Sequence, residues 1–438
     1  MKAGGRVFLM LQGPHGPFFG QLADRLRGLG ATVWRAGFNA GDKACWGWRR
    51  PGYLPVHASP VDWPGLCGRM MADLGVTDLV LYGTTRPIHA AAIALARSRG
   101  ITVHVFEEGY LRPYWATCER DGSNGGSALM DITIEDMAAR LGGPGSARPP
   151  APAHWGDMRA HVFHGASYHF HLMIGQRRYP AYQPHRTIGV GQEFRLHLRR
   201  LLLMPIHHLQ RARANRRIRR GGFPYHLILL QLEHDASFTA WSGYGSMTGF
   251  ITECLTGFAA GADASMHLVF KAHPLEDGRA AIAATIRDVA ERLGLSARVH
   301  YLRGGKLARL LDGASGVVTV NSTAGQQALW RGIPLKAMGR AVYDKPGLVS
   351  PQQLGAFFAA PRPPDPARYA TYRAFLLQTS QLPGGFYGRR NRAALLRHCI
   401  PALLSPLGPY ANAGQPERHG RNSRELAEPM GGFDRGLL

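Results

Sequence analysis

The chain is short of cysteine and of acidic residues, and each shortage narrows what it can be. Its five cysteines, Cys45, Cys67, Cys118, Cys254 and Cys399, are odd in number and widely scattered, with no C-x-x-C pair. That excludes a disulfide framework and a zinc ribbon, and it fits a reducing compartment. No G-x-G-x-x-G occurs, so no dinucleotide fingerprint is present, and no H-E-x-x-H marks a metalloprotease. No run approaches the roughly 18 apolar residues of a membrane span. Met1 to Gly5 leads straight into a strand pattern without the basic and apolar regions of a signal peptide. Acids number 29 against 52 Lys and Arg, a net charge of +23. Such an excess favours polyanions: nucleic acid, an anionic membrane face or phosphorylated substrates. A cytoplasmic protein held peripherally at a membrane by charge is expected.

What is present describes a globular α/β protein, 45% hydrophobic and 18% charged. At 438 residues it exceeds one compact core and implies two domains with extras. Residues 6–11, 32–38, 78–83 and 102–108 read as strands alternating with helices, one ending near Gly28 to Gly30 and one over 86–97. Residues 39–64, rich in Trp, Gly and Pro, read as a long loop, and 117–127 as a flexible polar loop. A second alternation runs from 225 to 338 with near-continuous apolar strands, implying parallel sheets covered on both faces. The expected division is a first Rossmann-like domain over 1–185, a basic linker over 186–222 and a second Rossmann-like domain over 223–362. Helices over 363–404 would pack back across both domains, and a disordered tail would occupy 405–438. The linker holds ten Arg against one Glu with leucines at helical spacing, suited to a solvated helix or to anionic headgroups. Five His between 154 and 171 lack the Cys or carboxylate partners of a metal site, so no metal is expected.

The chemistry concentrates at strand ends. Phe106-Glu107-Glu108-Gly109-Tyr110-Leu111-Arg112-Pro113 follows an apolar strand, and adjacent carboxylates there should displace at least one pKa. Neighbours on a strand point to opposite faces, so both acids serve one substrate only if the backbone twists at Gly109. Gly13 and His15, in the turn after the first strand, would approach a ligand in the cleft, with Arg112 and Asn124 beside it. In the second half, Lys271 and His273 close a strand that Pro274 stops, suiting a nucleotide phosphate. Asn321, Ser322 and Thr323 form a strand-to-helix junction whose hydroxyls and free N–H groups suit phosphate. Gln231, Glu233 and Asp235 end the first strand of that half and would meet the sugar or base.

Several of these stretches together resemble a family. Leu11-Gln12-Gly13-Pro14-His15-Gly16-Pro17-Phe18-Phe19, Phe38-Asn39-Ala40-Gly41-Asp42, Glu107-Glu108-Gly109-Tyr110-Leu111-Arg112-Pro113 and Lys271-Ala272-His273-Pro274-Leu275-Glu276 occur in order. Asn321-Ser322-Thr323-Ala324-Gly325-Gln326-Gln327-Ala328-Leu329, Ala341-Val342-Tyr343-Asp344 and Gly384-Gly385-Phe386-Tyr387 follow. From about residue 6 to 390 the chain resembles the capsule polysaccharide biosynthesis proteins of bacterial ABC-transporter-dependent capsule systems, specifically the single-module β-Kdo transferases. The resemblance implies a GT-B glycosyltransferase, two Rossmann-like domains facing across a cleft. It would transfer Kdo from CMP-Kdo, with retention, to a phosphatidylglycerol-type lipid at the inner face of the inner membrane. It implies no cofactor, other capsule proteins as partners and no nucleic acid. Relatives carry Glu-Asp-Gly where this chain has Glu107-Glu108-Gly109, so the attacking acid would be Glu108, with Glu107 second. His273 and Pro274 would meet the CMP phosphate. Two other readings compete: the same fold with another sugar nucleotide, and a non-catalytic basic protein binding nucleic acid or the capsule assembly.

Overall fold

The computed structural model describes residues 3–112, 114–141, 157–182, 204–274, 276 and 280–411. The first half contains β1 (Val7–Met10), α1 (Phe18–Gly28), β2 (Thr32–Gly37), α2 (Ala40–Trp46), β3 (Tyr53–Pro55) and α3 (Trp63–Asp73). It continues through β4 (Asp78–Tyr82), α4 (Pro87–Ser98), β5 (Thr102–Glu108), β6 (Trp115–Arg120), α5 (Ile134–Arg140) and α6 (Asp157–Gly175). After α7 (Met204–Gly221), the second half runs β7 (Tyr225–Leu229), α8 (Ala236–Trp241), α9 (Met247–Gly261), β8 (His267–Lys271), α10 (Ile282–Arg292) and β9 (Val299–Leu302). Then come α11 (Leu307–Leu311), β10 (Ala314–Thr319), α12 (Gly325–Trp330), β11 (Leu335–Ala337) and α13 (Leu354–Ala359). The chain returns to the first half through α14 (Pro366–Gln378), β12 (Gln381–Pro383) and α15 (Arg389–Leu404).

The second-half sheet is parallel throughout, in the order β11-β10-β7-β8-β9. The first-half sheet, ordered β12-β6-β5-β4-β1-β2-β3, is parallel from β5 to β3, but β6 runs antiparallel to both β5 and β12. The expected pair of α/β domains is present; an all-parallel first sheet is not. Alternation explains the layering. Phe8 and Met10 join Phe18, Leu22 and Leu395 on one face of the first sheet, whereas Leu9 and Leu11 join Trp63, Met71 and Ile93 on the other. A third apolar cluster crosses between the halves, joining Tyr110, Leu111 and Leu129 to Leu227, Val317 and Tyr343 through Tyr372 and Phe375 of α14. At the same seam, the Lys345 ammonium donates to the carbonyls of Leu129 (2.7 Å) and Met130 (2.6 Å).

Three expectations need correction. Residues 39–64 are not a loop: Asn39 caps α2 by accepting from the Asp42 N–H at 2.9 Å, and β3 pairs with β2. Asp42 is buried because the Phe38 N–H (2.9 Å), the Gln12 amide (3.0 Å) and Arg35 (3.3 Å) all donate to it. Residues 117–127 are not a flexible loop either; they hold most of β6 and a short turn at Asn124–Gly126 in which Gly125 lies against the Trp241 ring. The tail does not become irregular solvent at Ser405, because Tyr410 is buried and its hydroxyl donates to Glu119 at 2.6 Å. Residues 412–438 lie outside the described residues, as do 142–156 and 183–203. The last turns of α7 pack toward β9, with Ile218 buried.

β12 fastens the acidic turn. The Gln381 side-chain carbonyl accepts from the N–H groups of Tyr110 (2.8 Å) and Leu111 (3.4 Å), and its amide donates to Thr117 at 3.0 Å. Replacing Gln381 with Leu keeps the volume and strands those buried donors. A loss of about 1–3 kcal/mol is expected, read as a lower urea midpoint at unchanged m-value.

Candidate active site

The acidic turn owes its shape to Gly109. A Cβ there would lie 2.1 Å from the Trp115 carbonyl oxygen, so only glycine lets β5 turn this tightly into β6. Glu107 and Glu108 are still within the β5–β6 ladder, paired with Thr117 and Ala116, so no twist separates them from the strand. Their carboxylates therefore leave opposite faces.

Glu107 turns toward the Asn124 amide, which donates to it at 3.3 Å, and toward Gly83, where a Cβ would come within 3.3 Å of its oxygen. Asn124 adopts a φ of 53°, a left-handed conformation its short amide tolerates, and its N–H donates to the Tyr110 hydroxyl at 2.7 Å. Burial, reinforced by the Glu108 charge, pushes the Glu107 carboxyl up to about 7. Asp235 across the seam pushes it the same way, and Arg112 opposes. Glu108 points to the other face, where the hydroxyls of Tyr82 (3.1 Å) and Tyr387 (3.2 Å) both donate to one of its oxygens.

The second half presents its strand ends to this turn. Asp235 and Arg112 act on His273 as they do on Glu107, so the two strand ends share one electrostatic neighbourhood. Burial lowers the His273 imidazole to about 4, leaving it neutral near pH 7, and burial also lowers the Lys271 ammonium. Glu107, Arg112, Asn124, Asp235, Lys271 and His273 thus fall within one electrostatic neighbourhood, with Asn124 hydrogen-bonded to Glu107.

Other expected residues have local duties. The amides of Gln231 and Asn321 are buried against each other: the Gln231 amide donates to the Asn321 side chain (2.8 Å), whose backbone N–H donates back (3.0 Å). Glu233 accepts from the Met247 N–H at the start of α9 (2.9 Å), and Asp235 caps α8. Ala324, not Ser322 or Thr323, is the N-cap of α12; Ser322 accepts from the Ala324 N–H at 3.2 Å in the preceding turn, and Thr323 is half-buried beside it. Gly13 faces the Phe19 ring, and His15 stacks on Tyr168 of α6 with ring centroids 4.3 Å apart.

The histidine-rich stretch lies, from Asp157 on, in α6, whose inner face borders the site. His161 stacks on Tyr387 at 4.1 Å, and the His164 ring lies against Gly16, whose φ is 106°. Tyr82, Tyr387 and Gln381 were not among the expected site residues. Gly384-Gly385-Phe386-Tyr387 carried a signal, as part of the resemblance, but no role had been attached to it. A groove bounded by Trp241, Thr252, Glu253, Lys336 and Arg340 includes neither carboxylate, nor Lys271 or His273.

Fold and site together define a two-domain α/β protein with two carboxylates on one strand end, one of them in the electrostatic neighbourhood of a lysine and a histidine on another. Residues 77–387 match the family described as capsule polysaccharide biosynthesis protein, and the chain belongs to that family. It is 30% identical to the capsule polysaccharide export protein KpsS of Escherichia coli, covering 87% of this chain and 97% of that one. It is also 30% identical to the capsule polysaccharide modification protein LipB of Neisseria meningitidis serogroup B, over 87% of this chain and 91% of the relative. Among solved structures it is similar to the β-Kdo 2,7 transferase of Thermosulfurimonas dismutans KpsC, at 14% identity and a TM-score of 0.43, covering 90% and 99% of the two chains.

Gly109→Ala is expected to force the turn away from Trp115, costing about 1–3 kcal/mol. A thermal melt lowered by several degrees checks this, and an unchanged melt would refute the close approach.

Proposed function

We propose that the chain is a retaining glycosyltransferase that moves Kdo from CMP-Kdo to a phosphatidylglycerol-type lipid, beginning the capsular polysaccharide linker at the inner face of the inner membrane. The observation that carries this reading is the meeting of two strand ends: Glu107 on β5 shares the influence of Asp235 and Arg112 with His273, which follows Lys271, while Glu108 beside it is held by two phenols. Other proteins of the capsule system are its expected partners, and the reaction as written uses no cofactor.

Retention follows from two displacements. Glu108, oriented by the Tyr82 and Tyr387 hydroxyls, attacks the anomeric carbon while CMP departs with the electron pair of the broken C–O bond. The acceptor hydroxyl then displaces Glu108 and restores the original configuration, its proton passing to Glu107 around the tip of β5. The two acids leave opposite faces of the strand, so one substrate reaches both only where the strand ends. The division rests on environment: a nucleophile must be held in place, as two phenols hold Glu108, whereas a carboxyl raised to about 7 suits proton handling at neutral pH. Lys271 supplies positive charge to the departing phosphate, and neutral His273 supplies a hydrogen bond. An anionic donor also relieves the burial that disfavours the Lys271 charge.

Glu108→Gln is expected to reduce transfer by roughly a thousandfold or more while leaving CMP-Kdo binding within a few fold. Turnover of a fluorescent lyso-lipid acceptor, with a small panel of CMP- and UDP-sugars as donors, reads this directly. Full activity in Glu108→Gln removes the assignment, and loss confined to Glu107→Gln reverses the two roles. His273→Ala is expected to weaken donor binding by roughly tenfold, the worth of one lost hydrogen bond to a charged group.

The proton step has its own signature. Glu107 accepts a proton only when ionised, so kcat/KM should fall as pH drops through about 7, and that limb should vanish in Glu107→Gln. An acid limb that persists in the variant would assign the proton to another group.

A further inference from the structure

Among the described residues, the outward side of α6 is exposed and apolar. At about 100° per residue, Met158, Val162, Phe163, Phe170, Met173 and Ile174 fall within one arc of about 160°, and all are exposed, Phe163 at 68% and Met158 at 64%. Arg159, Ala166 and His169 are the other exposed positions of that arc. The opposite side docks on the first domain: Tyr168 accepts from the Asn39 amide at 2.8 Å, and Gly41 lies tight against the Tyr168 ring. A helix packed on one side would ordinarily show a polar outer side; here the outer side is where large hydrophobic residues collect.

Charge identifies the occupant. The helix has no acid beyond Asp157, and Arg177 and Arg178 follow its last turn, exposed. Trp48, 55% exposed and 6.0 Å from His171, stands beside it with the exposed Arg49. An apolar stripe bordered by Trp and Arg and free of acids is the composition of a helix lying in a lipid interface. A second copy of the chain fits poorly, because a contact centred on the stripe would bury the Arg159 of each copy among apolar side chains with no acid of the stripe to pair it.

We propose that α6 is the membrane-docking element of this chain, its Met158 to Ile174 stripe entering the surface of an anionic phospholipid bilayer. This deepens the reading above and rests on its lipid-borne acceptor. The inner side of the same helix stacks on Tyr387, so one helix thickness, about 10 Å, lies between the lipid surface and the tyrosine that holds Glu108. A headgroup at the rim of α6 is thereby brought to the Glu108 side of the strand end without leaving the bilayer.

The test is flotation of the full chain with phosphatidylcholine vesicles containing phosphatidylglycerol. The parent should float, and Phe163→Glu/Phe170→Glu should bind at least roughly tenfold more weakly, with an unchanged thermal melt because both side chains are exposed. Met158→Glu/Met173→Glu, on the same stripe, should behave alike, whereas Trp330→Glu, at an exposed position of the second domain, should float as the parent does. Equal flotation of parent and both stripe variants overturns the proposal, as does equal loss in Trp330→Glu. A change from dimer to monomer in the stripe variants with flotation intact also overturns it, in favour of a contact between copies. Turnover with a water-soluble acceptor separates this from the reaction: the stripe variants should match the parent there. No turnover in any form, with flotation still lost in the stripe variants, would refute the transferase reading and leave the docking helix standing.

Discussion

Two hydrogen bonds accepted by one side-chain oxygen govern this molecule. The Gln381 carbonyl takes the N–H groups of Tyr110 and Leu111, which the turn after Glu108 leaves without strand partners. Because buried backbone donors must be paired, the turn holds its shape only while β12 lies beside β6. A few residues on, the same returning segment supplies Tyr387 to Glu108. The acidic strand end is therefore built from two stretches of chain far apart in sequence, and its two carboxylates inherit different surroundings from that construction. One is desolvated near Asn124 and Gly83, and the other is gripped by phenols.

Much of this architecture was legible in the sequence, for identifiable reasons. Strands β1, β4, β5, β7 and β8 are continuous apolar runs, and burial on both faces leaves that pattern little ambiguity. The segment over 39–64 misled because its order comes from a buried polar cluster around Asp42, which no hydrophobic period reveals. The mixed edge of the first sheet was hidden for a different reason. Thr117 and Cys118 sit in β6 among turn-like residues, and β12 is only three residues long. Its pairing is a tertiary event, decided by α14 and α15 carrying the chain back.

The site divides similarly. Glu107, Lys271 and His273 could be found because strand ends in parallel sheets are where ligands bind, and the spacing of each motif marks its strand end. The conformational condition attached to the acidic pair is not met, since both acids remain in the ladder and face opposite ways. Gln231 and Asn321 carry ligand-suited amides but spend them on each other, a pairing visible only once β7 and β10 are neighbours. Tyr82 and Tyr387 were opaque for a related reason: a phenol becomes part of a carboxylate site through its position in space, and neither lies near Glu108 in the chain.

The late return of the chain also has a consequence for biosynthesis. Translation delivers the β5 acids early and their supporting strand some 270 residues later, the separation between Tyr110 and Gln381. A nascent chain that has emerged through the second domain still lacks the edge of its first sheet and the phenol that steadies Glu108. Maturation of the site is thus coupled to synthesis of the chain through Tyr387, and fragments released by premature termination would carry both acids without the architecture that gives them distinct chemistry.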